Sequence, residues 1–297
     1  MEVPARSYNE LGPSSRVAMR QLKGKTAVIT GAGSGIGRAL ALQLGSAGCQ
    51  LALVDIQVQA LEQTRDLLTA TGANQVSLHA VSVADREDMR GLPSEIMDIH
   101  GHIDILINNA GVTALASFEE LSDADIDRII GVNLLGTLMG CRFFLPHLKK
   151  APEAHIVNMS SMAAFAGMPY QTIYCATKSA VQGLTESLQA ELSGTNLTVT
   201  GVYPGAVGTH IMASASSPHA VSQRLGELLL RHGYPVDRAA RKIVRGIKRK
   251  SLMVRIGAQS YLLDWSKRLF PWLISVVMGF IARRGRAMLV AEKSDNK

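Results

Sequence analysis

Apolar residues over the first two thirds of the chain fall into short, nearly unbroken runs separated by longer amphipathic stretches. The runs are Lys25–Thr30, Gln50–Asp55, Val76–Val81, Ile103–Asn108, His155–Ser160 and Leu197–Tyr203. Unbroken runs, rather than alternation at every second residue, are what strands buried on both faces require. The stretches Gly35–Gly48, Val58–Thr71, Asp85–His100, Asp123–Lys150 and Thr172–Gly194 read as helices. A strand–helix repeat of this kind predicts an α/β fold: a doubly wound parallel sheet of the Rossmann type with helices on both faces. Right-handed crossovers then place ligands beyond the carboxyl ends of the strands. We expect one domain over residues 22–256, with a substrate lid at 206–235. An N-terminal arm, 1–21, precedes it, and a basic, apolar helical extension, 257–297, follows.

Candidate chemistry begins where the first strand ends, at Thr30-Gly31-Ala32-Gly33-Ser34-Gly35-Ile36-Gly37. Glycines between a buried strand and a helix let backbone amides approach a pyrophosphate, which the helix N-terminus stabilises electrostatically. The spacing is Gly31-x-x-x-Gly35-x-Gly37 and not the strict G-x-G-x-x-G. Asp55, closing the second strand, strengthens the reading. An acid about 20 residues after such glycines accepts hydrogen bonds from the adenosine ribose and repels a 2′-phosphate. Neither Ser34 nor Ile56 is a base that could neutralise such a phosphate, so NAD is favoured over NADP.

Tyr174 and Lys178 lie four residues apart at the start of the last predicted helix, on one face. A free phenol, with a pKa near ~10, is a poor base at neutral pH, and a cation within ~4–6 Å favours its phenolate. Lys178 is the expected source of that charge, beside the small-residue loop Ser160-Ser161-Met162-Ala163-Ala164.

These motifs together resemble the short-chain dehydrogenase/reductase family, over about residues 22–256. TGxxxGxG matches Thr30 to Gly37, and NNAG matches Asn108-Asn109-Ala110-Gly111. The helix asparagine matches Asn133, the serine Ser161, YxxxK the pair Tyr174 and Lys178, and the PG turn Pro204-Gly205 with Val207 and Thr209 beyond. The resemblance implies an NAD(P)-dependent oxidoreductase acting on CH–OH groups. In it Tyr174 exchanges the substrate proton, and Lys178 holds the nicotinamide ribose. Ser161 hydrogen-bonds the substrate oxygen, and Asn133 fixes a water that relays protons from Lys178. Hydride passes directly between substrate and nicotinamide, with no metal. The cofactor set implied is Gly31, Ser34, Gly35, Ile36, Gly37, Asp55, Val83, Asn109, Ala110, Gly111, Tyr174, Lys178, Pro204, Gly205, Val207 and Thr209. One departure is Ser82-Val83, where the family carries Asp-Val against adenine; Asp85 reads instead as the cap of the next helix.

The lid, with Met212, Ala213, Leu225 and Leu228 to Leu230, is apolar, and Met168 and Tyr170 are expected to line the same cleft. A hydrophobic substrate follows: a sterol-, retinoid- or lipid-like secondary alcohol or ketone. The substrate set is Ser161, Met168, Tyr174 and Met212. A non-catalytic NAD-binding regulator and a membrane-tethered protein are the rival readings.

Composition alters this picture in two places. Three cysteines (Cys49, Cys141, Cys175) without CxxC spacing suit a reducing, cytoplasmic setting better than a disulfide framework. Residues 1–25 contain no apolar core of a secretory signal. His100 and His102 have no third ligand in register and read as ordinary side chains rather than a metal site. The net charge of +7 is uneven: from Asp237 onward fifteen Lys and Arg face four acids, leaving −4 before that point. Nucleic-acid binding is not expected, since no recognition motif accompanies the charge. In the extension, Trp265, Leu269, Trp272, Val276 and Phe280 recur at helical spacing beside Lys267, Arg268, Arg283, Arg284 and Arg286. Leu269 to Ala282 is uncharged for 14 residues and holds Pro271 and Gly279. About 20 residues are needed to span a bilayer. Two alternatives stand: residues 261–286 lie on an anionic membrane surface, or they pack on the domain or within a homo-oligomer (a dimer or tetramer).

Overall fold

The computed structural model describes residues 19, 21–69, 75–209, 211–212, 215, 217, 227–228 and 230–295, with side chains through 284. Its sheet is built from β1 (Thr26–Thr30), β2 (Gln50–Asp55), β3 (Val76–Ala80), β4 (Ile105–Asn108), β5 (Ala154–Met159), β6 (Leu197–Pro204) and β7 (Met253–Ile256). All seven are parallel, in the order β3-β2-β1-β4-β5-β6-β7. Chain direction across the sheet reverses between β1 and β4, so a crevice opens there at the carboxyl ends of the strands.

The helices are α1 (Gly35–Ser46), α2 (Val58–Thr69), α3 (Arg86–His100), α4 (Asp123–Ile130), α5 (Gly136–Leu148), α6 (Thr172–Glu191), α7 (Val236–Lys248), α8 (Ala258–Leu269) and α9 (Pro271–Asp295). On one face, Leu40 and Leu44 of α1, Leu61 and Leu68 of α2, and Ile243 and Ile247 of α7 pack on Ile29 and Leu53. On the other, Met89 and Ile96 of α3, Phe144 and Leu148 of α5, and partly buried Leu184 and Leu188 of α6 pack on Val28, Leu106 and Ile156. Every residue of β1, β4 and β5 is buried, as unbroken apolar runs require. Asp85 caps α3 as expected, accepting from the amides of Glu87 and Asp88.

Three features differ from the sequence reading. The expected helix Asp123–Lys150 is interrupted by a π-helical turn, Gly131–Leu135. There the fully buried Asn133 accepts from the amide of Val112 at 2.8 Å and donates to its carbonyl at 2.9 Å. Such turns often mark functional sites. The stretch Asp123–Leu148 is also, among the described residues, one long and apolar enough to cross a membrane, yet half of its most apolar window is buried within the domain. Secondly, β7 and α7 were not anticipated. Part of the basic tail is therefore the solvated face of α7, whose Ala239, Ala240, Ile243 and Ile247 are buried. Thirdly, Tyr170 does not line the cleft. Its φ is +66°, and its hydroxyl donates to the carbonyl of Ala282 in α9 at 3.3 Å. Of the expected lid, Ala213, Leu225 and Leu229 lie outside the described residues, and Leu228 is exposed.

Candidate active site

The glycine loop folds as it does because side chains would not fit it. Gly31 and Gly35 take φ of +64° and +52°, conformations costly for residues bearing a Cβ. A Cβ on Gly37 would stand 2.0 Å from the carbonyl oxygen of Gly31. Gly37 thus lies under the loop, letting α1 start close to β1. Asp55 accepts from the amides of Gly33 at 3.0 Å and Gln57 at 3.1 Å. Beneath them Arg38 donates to the carbonyl of Gly33 and to Thr64 Oγ1, so a cation absent from the sequence reading stands near this end.

The second wall is tied to the first. Thr30 Oγ1 accepts from the amides of Asn109 at 2.9 Å and Ala110 at 3.0 Å, while Asn109 Nδ2 donates to the carbonyl of Thr30 at 2.9 Å. Gly111 then passes Asn133 and Lys178 at van der Waals distance: a Cβ there would meet Asn133 Oδ1 at 3.4 Å and Lys178 Nζ at 3.5 Å.

A cavity of about 550 Å³ runs from this loop to the start of α6. Gly31, Ser34, Gly35, Ile36 and Asp55 line one end; Val83, Asn109, Ala110 and Gly111 line the middle. Ser161, Met168, Tyr174, Lys178, Pro204, Gly205, Val207, Thr209 and Met212 line the rest. Of the expected site residues, Gly37 and Asn133 stand behind this surface. Asn133 bonds to Val112 and, at 3.3 Å, to Thr177 Oγ1, which in turn donates to the carbonyl of Tyr174 at 2.8 Å. It acts here as a brace between the wall and α6.

Ser160 and Ser161 are distinguished by their hydrogen bonds. Ser160 Oγ donates to the carbonyl of Lys178 at 2.8 Å, whereas Ser161 caps the short turn Met162–Ala164 and hydrogen-bonds with Tyr174. Lys178 is buried and donates to the carbonyl of Met159 at 2.9 Å. Burial pushes its pKa down to about 8. Burial also pushes the Tyr174 hydroxyl above the usual phenol value, with the Ser161 hydrogen bond opposing that shift. The expected lowering of Tyr174 by Lys178 is therefore not a property of the protein alone. The ammonium sits 5.7 Å from the ring centroid, and burial is the largest influence on the hydroxyl.

The sequence reading passed over Gln171, Thr113, Met162 and Ile211, all on the cavity wall. Gln171 is buried, with Nε2 3.3 Å from Thr113 Oγ1 and 3.5 Å from Met212 Sδ. Its place immediately before α6, three residues from Tyr174, was the available signal.

Residues 25–220 match the family model described as short chain dehydrogenase. The chain is 36% identical over 251 residues to SadH of Mycobacterium tuberculosis, named as an oxidoreductase, covering 83% of this chain and 91% of that protein. It superposes on a short-chain dehydrogenase/reductase from Burkholderia phymatum in complex with NAD, with a TM-score of 0.79 and 30% identity over 87% of this chain and 96% of that one. A metagenomic short-chain oxidoreductase in complex with NADP is also similar: TM-score 0.66, 27% identity, 79% of this chain and 96% of that one. The chain belongs to the short-chain dehydrogenase/reductase family. It is an NAD(P)-dependent oxidoreductase acting on CH–OH groups. The glycine loop, with backbone in place of side chains, and the Asp55 carboxylate at one end of the cavity suit a dinucleotide.

Proposed function

We propose that this enzyme interconverts a hydrophobic secondary alcohol and its ketone with NAD(H), using Tyr174 as general base and acid. The observation that carries this reading is the single cavity joining Asp55 and the glycine loop to Ser161 and Tyr174. It then continues to Met162, Met168, Ile211 and Met212. Thioether and aliphatic side chains around a few polar groups favour an apolar substrate held at one oxygen.

The bound nicotinamide supplies the hydride acceptor or donor, and in its oxidised form a positive charge that favours the phenolate. Tyr174 takes the alcohol proton, or returns it to the ketone oxygen. Ser161 donates toward the substrate oxygen, where charge develops. Lys178 holds the ribose in this reading, and Asn133 holds the Gly111–Val112 wall against α6. Asp55 accepts from the ribose hydroxyls and repels a 2′-phosphate; Nε and Nη2 of Arg38 are turned to Thr64, Gly33 and Gln63. A non-catalytic NAD sensor is disfavoured, because Ser161, Tyr174 and Lys178 are present together on the cavity wall.

The test is a screen of hydrophobic secondary alcohols with NAD and with NADP, read by the absorbance of the reduced cofactor. Turnover with NAD on apolar alcohols supports the proposal. A strong preference for NADP, or for small polar alcohols, overturns it.

A further inference from the structure

The C-terminal helices carry an apolar face that the domain does not cover. α8 is anchored inward. Its Leu263 packs on Phe165 and Tyr203, Ser260 Oγ donates to the carbonyl of Tyr203 at 2.8 Å, and buried Asp264 pairs with Arg255 and Arg268. Outward, Leu262, Trp265 and Leu269 of α8 and Trp272, Val276 and Phe280 of α9 are exposed, Trp265 and Trp272 by 63% and 66%. On α9 the exposed apolar positions recur at intervals of one and three or four residues, which is one broad helical face. Monomeric soluble proteins rarely leave contiguous apolar areas of this kind uncovered.

Charge identifies what covers it. Lys267 and Arg268 lie at the end of α8, and Arg283 and Arg284 continue the exposed face of α9. Asp264, the acid among them, is buried against two arginines. Between β7 and α8 a small cavity of about 260 Å³ is lined by Arg255, Asp264, Trp265, Arg268 and Leu269. It holds two guanidinium groups for one carboxylate, and Arg255 Nε there is buried without a hydrogen-bond partner. A two-fold contact between copies would set this basic patch against itself, since such an interface joins the same surface on both subunits. An anionic bilayer matches both parts: acyl chains receive the aromatic and aliphatic side chains, and headgroup phosphates receive the cations.

We propose that α8 and α9 form a docking face for an anionic lipid bilayer, lying in the interface without crossing it. The uncharged run of 14 residues is too short to span, as about 20 are needed. The face is also wired to the active site. Tyr170, hydrogen-bonded to Ala282 of α9, stands four residues before Tyr174, so the docked surface adjoins the loop that bounds the cavity.

Co-sedimentation of the full chain with phosphatidylcholine vesicles, with and without phosphatidylserine, tests this. We expect binding to the anionic vesicles, weaker binding to the neutral ones, and partial loss in high salt, because screening removes the charge contribution and leaves burial. Arg283→Gln with Arg284→Gln should lower affinity for anionic vesicles by roughly fivefold per residue, the worth of one basic side chain near such a surface. Trp265→Ser with Trp272→Ser should lose binding to both vesicle types while melting at the wild-type temperature, since both rings are exposed. No binding to anionic vesicles overturns the proposal. So does a dimer in solution that the tryptophan variant dissociates, which would assign the face to a second copy. Unchanged binding in both variants would place the contact elsewhere and overturn it equally. Alcohol turnover of the variants in detergent reads the catalytic assignment separately.

Discussion

Asp55 accepts a hydrogen bond from the amide of Gly33 at 3.0 Å, so the carboxylate at one end of the cavity also fixes the shape of the glycine loop. Under the proposed function one side chain would set both cofactor choice and loop shape. Asp55→Asn can keep the hydrogen bond from Gly33 while removing the charge. We expect the NAD-to-NADP preference to shift toward NADP by about 1–3 kcal/mol, the range for hydrogen bonds to charged groups. Titration of both cofactors against both proteins reads this. An unchanged ratio would mean that Asp55 does not govern the choice.

Tyr174→Phe removes the proposed proton carrier and keeps the ring. Turnover should fall by roughly 10²–10⁴-fold, as for general acid–base groups, with cofactor affinity retained. Because burial raises the Tyr174 pKa, the base form is scarce at neutral pH. Alcohol oxidation by the wild type should therefore quicken as pH rises, and ketone reduction should slow. A Phe variant that keeps most of its activity would refute the role.

Lys178 is held at a cost to stability. Its pKa in the folded chain is about 8, against 10.5 for an ordinary lysine, so the unfolded chain binds more protons between those values. Stability must then rise with pH across that window, and the penalty for burying the ammonium is fully present below about 8. The difference in pKa corresponds to about 3 kcal/mol. Lys178→Met should be inactive yet more stable than wild type by about 1–3 kcal/mol near neutral pH, with the gain vanishing above the ordinary lysine value. Urea unfolding of both proteins at the two ends of the window checks this. Parallel pH profiles would show that the ammonium is not destabilised.

Two glycine replacements should act in opposite directions. Gly37→Ala drives a methyl into the Gly31 carbonyl, so the loop must open; cofactor binding and thermal stability should both drop. Gly183, in the exposed middle of α6, has nothing within 4 Å of where a Cβ would stand. Gly183→Ala should stabilise the chain by about 0.5–1 kcal/mol through helix propensity, without changing kinetics. Thermal melts and NAD titration distinguish the two.

The sheet's first six strands were legible because burial on both faces leaves unbroken apolar runs, and β1, β4 and β5 are such strands. β7 was not. It has four residues, includes the charged Arg255, and is only half buried at the sheet's edge, so its run is short and broken. α7 was hidden for a related reason. Arg238, Arg241, Lys242, Arg245 and Lys248 drew the eye to charge, whereas the apolar stripe beneath them packs on the sheet face shared with α1. Within the site, Tyr174 and Lys178 stood out by their spacing, and Ser161 by the family resemblance. Gln171 did not, because a buried amide bonded to Thr113 and Met212 depends on residues 58 and 41 positions away. The same holds for Tyr170, whose partner Ala282 lies 112 positions on.

The edge strand has a bearing on how the protein is made. Gly205, in the turn after β6, donates its amide to the carbonyl of Ile256 at 2.8 Å, and Pro204 stands in register with Ile256. Tyr174 and Lys178 leave the ribosome well before that partner exists. During synthesis the nascent chain therefore carries α6 and the glycine loop while the third wall of the cleft is still unfastened. Closing it requires a contact across some fifty residues, and such long closures are slow. Competence to hold the dinucleotide should accordingly arrive late and abruptly, when β7 docks, rather than accumulating strand by strand.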